Sequence, residues 1–430
     1  MRKNGQKNVF EETIFSGVLS DRDDKFEMEL TLRAGPDSRL VIQPVSVSTR
    51  CYVALSKHVG APGSKSSWLA FEGISSEGTI FRSTYLSVYG HGHGTDGAWL
   101  KLAASKAHII LKRSEADDAK DVGVQWSLRG FRSFRNRPTK TSLGVVIVRG
   151  MHEFESYDEV TGSLAINPDG MAVDDAWFEK ADEMLEFVWR GLEFGHGGRL
   201  PISLIQEYRS KEVVATFYEG KGSPPHLPSI HFLNQSDYIE CLATHFDRKD
   251  TFPEAVWTAV GWLNSRTAIE EVRFLNIMTA IETILENLLP NTETKILPAS
   301  EFSAVKDSLL ATLERHSLAK EGLDIFKGKI KQLNSRTLSQ KLSAVLDRYK
   351  LPETIVDQNV LRTLNKQRNS ITHTGHALSD SDLWDCIIRA REIVVQVVLS
   401  ELGYSGKFES YAAGHQVRSI GRGSNSNSNR

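Results

Sequence analysis

Residues 361–376 read LRTLNKQRNSITHTGH, and their spacing is that of a helix with an unusual face. At 3.6 residues per turn, Leu361, Asn365, Asn369 and His373 stack as one row four residues apart. Arg368 falls in the adjacent row with Leu361, Leu364 and Ile371. A face expected to be apolar therefore bears an arginine, two asparagines and a histidine. Long polar side chains seldom go inside without a partner or a task. Gly375 is placed to end the helix as a left-handed cap, leaving His373 in the last turn.

A second misplaced charge lies about ninety residues upstream. Glu282 falls on the stripe made by Leu275, Met278, Leu285 and Leu289, where a carboxylate needs a cation or several donors. Pairing with Arg368 would satisfy both; the alternative is a glutamate at the rim of the stripe, facing water. Between Lys327 and Lys350 stand seven basic residues and one acid, Asp347. Arg336 and Lys341 in that run, with Arg362 and Lys366 beyond it, form a candidate surface for phosphates. A solvated helix pair is the plainer reading of such a run.

These features sit in a helical half. From Gln235 the chain reads as helices, with Pro253 at a first-turn position before Trp257, Val260 and Leu263. A long helix over 267–289 ends at Pro290, and others follow over 301–319, 321–333, 335–349 and 353–374. Ser379 and Asp382 open a last helix that carries Leu383, Ile387, Val394 and Val398 and stops at Gly403. Antiparallel packing of these segments gives a compact bundle.

The first half is different. Segments 26–34, 40–48, 79–89, 107–113, 122–131 and 143–150 alternate as strands, separated by turns at 35–37, 62–63, 90–97 and 136–138. Asp174 to Phe194 interrupts them with a helix (Trp177, Ala181, Met184, Val188, Leu192) ended by Gly195, and strands follow at 200–208 and 213–220. The expected class is α+β: a β-rich module over 1–219, a Gly/Pro-rich linker over 220–230, an all-α bundle over 231–405, and a disordered Ser/Asn/Gly tail over 406–430.

Composition sets the frame. The chain has 430 residues, 40% hydrophobic and 25% charged, with a net charge of −2, so no global field marks a polyanion binder. Three scattered cysteines exclude a disulfide framework and a thiolate zinc knot, and fit a reducing cytoplasm. No apolar run reaches the roughly 20 residues of a membrane helix, and the N-terminus lacks a signal core, so a cytoplasmic location with no membrane partner is expected. The segment Gly90-His91-Gly92-His93-Gly94 lacks matching carboxylate or cysteine spacing and reads as a flexible loop. No phosphate loop, nucleophile elbow or dinucleotide fingerprint is present, and neither a metal nor an organic cofactor is expected.

Arginine, asparagine and histidine together suit phosphodiester chemistry on RNA. A histidine can exchange a proton with a 2′-hydroxyl or a leaving oxygen, and an arginine can hold the non-bridging oxygens. Judged on these residues alone, a structural polar cluster at a helix end remains the favoured reading.

The segment Arg368-Asn369-Ser370-Ile371-Thr372-His373 resembles the R-x(4–6)-H signature of HEPN ribonuclease domains, including the polar residue after the arginine. The helix FLNIMTAIETILENLL (274–289) resembles the first long helix of ApeA-type HEPN domains, and the β-rich half is similar in layout to the ApeA N-terminal domain. The resemblance implies an anti-phage protein acting by abortive infection, whose HEPN homodimer cleaves RNA, tRNA in particular, without metal, leaving a 2′,3′-cyclic phosphate. It implies Arg368 and His373 as the catalytic pair, Asn369 as an assisting residue and Glu282 as a supporting one. The N-terminal module would then sense a phage-derived trigger or restrain the nuclease. Two other readings stay open: a non-catalytic HEPN dimer that binds RNA or a partner, with a ligand-sensing β domain, and a carbohydrate-binding β module using Trp68 and Trp99.

Overall fold

The computed structural model describes residues 12–21, 24–35, 39–58, 68–95, 97–113, 122–134, 136–316 and 319–420. The expected turns at 36–37 and 62–63 and the tail beyond residue 420 lie outside them. The chain divides into two compact units: Met1–His226 with Phe232–Asp247, and Leu227–His231 with Arg248–Arg430. The first is β-rich and the second helical, as the α+β patterning requires.

The first unit opens with strands β1 (Thr13–Ser20), β2 (Lys25–Ala34) and β3 (Leu40–Pro44), then helix α1 (Thr49–Ser56). Strands β4 (Leu69–Ser75), β5 (Ile80–Gly94) and β6 (Gly97–Ala104) follow. Antiparallel pairing runs β4-β1-β2-β3-β6-β5, and β4 also pairs with β5, so the six strands close into a barrel. Its inward residues, Phe15, Leu19, Leu30, Phe71 and Phe81 among them, are buried and fill it. Closure removes the exposed edges that an open sheet would present.

Two expectations fail here. Segment 40–48 is not one strand: β3 stops at Pro44, which cannot donate to a ladder, and Ser48 caps α1 by accepting from the Cys51 N–H at 3.2 Å. The segment 90–97 is not a turn and GHGHG is not a loop: β5 runs through Gly94 and pairs with β6, His91 opposite Leu100 and His93 opposite Ala98.

The first residues of β5, Ile80 to Arg82, also pair with β7 (Lys106–Lys112), which carries the same sheet beyond the barrel. This part includes β8 (Gly123–Arg129), β9 (Thr139–Thr141), β10 (Gly144–Gly150) and β11 (Val160–Asn167). Helix α2 (Asp175–His196) precedes β12 (Ile202–Tyr208) and β13 (Glu212–Tyr218), and the order is β7-β13-β12-β8-β11-β10-β9. Helix α2 packs on β8 and β11 with Trp177, Ala181, Met184, Val188 and Leu192 buried as the periodicity predicts. It continues through Gly195 and is capped by left-handed Gly197, one turn-fraction later than expected. Helix α3 (Gln235–His245) packs on α2 and belongs to this first unit. At Gly191 an added Cβ would lie 2.4 Å from the Leu242 side chain, so glycine permits that close approach.

In the helical unit, α4 (Glu254–Leu263) and α5 (Glu270–Leu288) pack against each other, followed by the short α6 (Asn291–Thr294). Then come α7 (Ala299–Glu314), α8 (Lys320–Gln332), α9 (Leu338–Tyr349), α10 (Gln358–Thr374) and α11 (Asp380–Glu401). Helix α11 packs on α5, α10, α4 and α9, and Ile393 to Val395 and Val397 to Leu399 are buried around its whole circumference, which makes it the central helix. Helices α7 and α8 pack on each other, and neither contains a fully buried residue.

The expectation of a disordered segment from residue 406 is corrected as far as 419. Strands β14 (Lys407–Ser410) and β15 (Gln416–Ser419) form a hairpin with Phe408, Glu409 and Ser410 buried. The Glu409 N–H donates to the Ser229 carbonyl at 2.8 Å, and Arg391 on α11 donates to the Ser229 hydroxyl at 2.9 Å. Polar composition hid a segment that is held by partners remote in sequence.

Candidate functional site

Helix α10 begins at Asp357, whose carboxylate accepts from the Val360 N–H at 2.8 Å, and ends at Gly375 with φ 78°. Leu361, Leu364, Gln367 and Ile371 are its buried residues. The core-facing stripe therefore passes through Gln367, not through the row containing Asn365, Asn369 and His373. Asn369 and His373 are exposed. The polar row thus crosses the open side of the helix, which corrects the reading of a compromised core face.

Gln367 is 1% exposed, and its Oε1 accepts from the Leu378 N–H at 2.9 Å. That bond fixes the loop after the helix against its last turns. The Ser370 hydroxyl donates to the His376 carbonyl at 2.9 Å, and the Thr374 hydroxyl donates to the Ser370 carbonyl at 2.8 Å. Together they hold the backbone that carries His373. Sequence reasoning passed over Gln367, although its spacing from Leu361 and Leu364 puts it on the apolar stripe.

Arg368 lies at the edge of this face. Its Nε donates to Glu282 Oε1 at 2.7 Å, with the two side chains 34% and 37% exposed. The pairing expected from two misplaced charges on different helices is present, at the rim of the bundle. A pair this exposed contributes at most about 1 kcal/mol of stability. Its consequence is geometric: Glu282 engages Nε and fixes the guanidinium plane, and the bond does not use the two terminal nitrogens.

The four expected RNA-contacting residues divide. Arg362 and Lys366 are exposed on α10. Lys341 is buried and its ammonium is paired with Glu286 on α5, so it ties α9 to α5. Arg336 donates from Nε to the Lys295 carbonyl at 2.9 Å and from a terminal nitrogen to the Thr292 carbonyl at 3.4 Å. Both are structural: a basic run read along the chain cannot reveal which cations the fold has turned inward. Trp68 is half-buried, edge-on to Tyr85 at 4.7 Å, whereas Trp99 is 45% exposed.

Other reactive groups are quiet. Burial pushes the Cys51 and Cys386 thiols up to about 11. Among the described residues, no three His, Cys, Asp or Glu side chains gather as metal ligands, and no helix is long and apolar enough to cross a membrane.

Residues 275–407 match the family model described as Apea-like HEPN. No curated protein and no solved structure matches the chain significantly. The matched segment runs from the second turn of α5 to the start of β14 and contains Glu282, Arg368 and His373. Over residues 275–407 the helical part of this chain is similar to Apea-like HEPN domains.

Proposed function

We propose that the HEPN domain is a metal-independent endoribonuclease of anti-phage defence, acting by abortive infection, with tRNA as the principal substrate. The observation that carries this reading is the ion-paired Arg368 at the rim of α10, next to an exposed Asn369 and a His373 held at the capped end of the same helix. RNA supplies its own nucleophile. One imidazole removes the proton from a 2′-hydroxyl as the 2′-oxygen bonds to phosphorus; the bond to the 5′-oxygen breaks, and an acid returns a proton to that oxygen. The products are a 2′,3′-cyclic phosphate and a 5′-hydroxyl. Arg368 holds the non-bridging oxygens as charge builds on phosphorus, and Asn369 orients the phosphate. Arg362 and Lys366 on the exposed side of the helix attract the backbone.

The base and the acid are separate tasks, and each chain offers one suitably placed histidine. A homodimer through the HEPN domain supplies the second, and the β-rich unit carries the response to a phage-derived trigger. The deciding experiment incubates the purified full-length chain with total RNA in EDTA, beside His373→Ala and Arg368→Ala. Cleavage by the parent alone, with cyclic-phosphate ends, is expected. Cleavage that persists in both variants, or that chelator abolishes, overturns the mechanism. Salt-sensitive RNA binding without any product would instead assign a non-catalytic binding dimer.

A further inference from the structure

The pattern Gly-His-Gly-His-Gly at the end of β5 acquires a meaning that its sequence alone did not carry. Bulges reset the strand so that Phe81, Ser83, Leu86 and Val88 face the barrel interior, and Val88 stands opposite Leu102. Past the bulge Gly90 opposes exposed Lys101, and His91 opposes Leu100, which is 3% exposed. His91 and His93 therefore stand on the same side of the sheet as Leu100, past the filled barrel, and both are exposed there. The glycines form the outer row. Trp99 stands opposite Gly92 with its indole against the strand, so that a Cβ on Gly92 would lie 2.6 Å from the ring, and Lys101 Nζ sits over the indole at 5.5 Å.

Helix α1 supplies the other wall. Its Cys51 and Leu55 are buried, and between them Tyr52 is half-buried, facing both imidazoles. Its ring centroid lies 5.7 Å from that of His91 and 6.2 Å from that of His93. Tyr52 Oη is 3.1 Å from His91 Nδ1. Two residues apart on a strand, the histidines have Cα atoms about 7 Å apart on one side of the sheet, a separation that two imidazoles can bridge through one ion at about 2 Å from each nitrogen. A histidine ligand characteristically donates its other ring N–H to an oriented oxygen, which fixes the tautomer.

We propose that His91 and His93 chelate a divalent transition-metal ion of the Zn²⁺, Cu²⁺ or Ni²⁺ class beyond the filled barrel, with Tyr52 as the residue that positions His91. His91 donates from Nδ1 to the phenol oxygen and presents Nε2 to the metal; His93 supplies the second nitrogen, and solvent or a ligand completes the coordination. Imidazole donors without carboxylates select this class over Mg²⁺ and Ca²⁺. The site lies in the β-rich unit and is independent of the ribonuclease chemistry.

The test uses the untagged full-length chain, loaded with Cu²⁺ and with Zn²⁺ separately. Equilibrium dialysis should find one saturable equivalent of either ion, and the Cu²⁺ form should show electron paramagnetic resonance coupling to two imidazole nitrogens. His91→Ala and His93→Ala should each remove that equivalent, with circular dichroism unchanged. Tyr52→Phe should keep both nitrogens but weaken binding about 10- to 100-fold. The remaining eleven of the chain's 13 histidines provide the control. An equivalent that survives in the His91→Ala/His93→Ala double variant, or a parent chain that binds neither ion, overturns the proposal.

Discussion

Arg368 and Lys341 are both cations in the same stretch of helices, and the structure gives them opposite circumstances. Arg368 is one-third exposed with one guanidinium nitrogen paired to Glu282; Lys341 is 9% exposed with its ammonium paired to Glu286. The charge is the same, but only one of them can meet a phosphate. Accordingly, Lys366→Ala should weaken RNA binding and lower the slope of log affinity against log salt by about 1. Lys341→Ala should leave that slope unchanged and cost about 1 kcal/mol of stability through the lost packing of the buried lysine stem, since Glu286 is 56% exposed and stays solvated. Filter binding across a salt series and denaturant melts of both variants check this. Equal salt slopes for the two variants would refute the assignment. The presence of an Arg368–Glu282 pair was legible from two charges on apolar stripes; the inward turn of Lys341 was not, because its contact with Glu286 joins residues 55 positions apart.

At the scale of the element, α10 separates an open polar row from a buried one. Its exposed row carries Asn369 and His373, and its buried row runs through Gln367, whose amide oxygen accepts from the Leu378 N–H. Gln367→Ala should leave that backbone donor unpaired at a cost of about 1–3 kcal/mol. The loosened turn should lower cleavage more than RNA affinity, since no group of Gln367 faces the open side. Melting temperature together with single-turnover cleavage rates tests this; a variant with parental stability and rate would show that the bond is dispensable. The helix periods were readable because apolar residues recur at 3.6, as the fully buried Leu383, Ile387, Val394 and Val398 of α11 confirm. The β5–β6 hairpin was not. Its glycines imitate a loop, and only pairing with Gly97–Ala104 across the ladder makes them a strand.

For the molecule as a whole, one half-buried acid makes a distinct pH dependence. Burial raises the Glu193 carboxyl to about 7, against the lowering effects of the Leu200 N–H, which it accepts at 2.8 Å, and of Arg199 and Arg190. A folded-state pKa above the unfolded one means that the native state holds the extra proton, so stability is greatest below about 4.5 from this group and is lost as pH rises toward about 7. The loss is at most about 3 kcal/mol. Glu193→Gln should flatten that part of the stability curve for the β-rich unit, measured by urea melts from pH 4.5 to 7.5; an unchanged slope would contradict it. Assembly gives a second prediction. Arg368 and His373 are separated by about 140° around the helix axis, so chains carrying Arg368→Ala mixed with chains carrying His373→Ala should regain part of the cleavage activity. Verified mixed dimers without rescue would place the whole site in one chain.

The sequence by itself determined the local periods: strands in the first half, helices in the second, and the capped end of α10; it suggested the pairing of Glu282 with Arg368 as one of two readings. Those follow from residue spacing and turn chemistry, which act over a few residues. Tertiary structure alone decided the closure of β4 onto β1 and β5, the hairpin over 407–419, the burial of Lys341 and the anchoring of Arg336 on backbone carbonyls, and the meeting of Tyr52 with His91 and His93. Each depends on groups distant along the chain, and desolvation and partner geometry, which decide between core, anchor and site, exist only once those groups have been brought together.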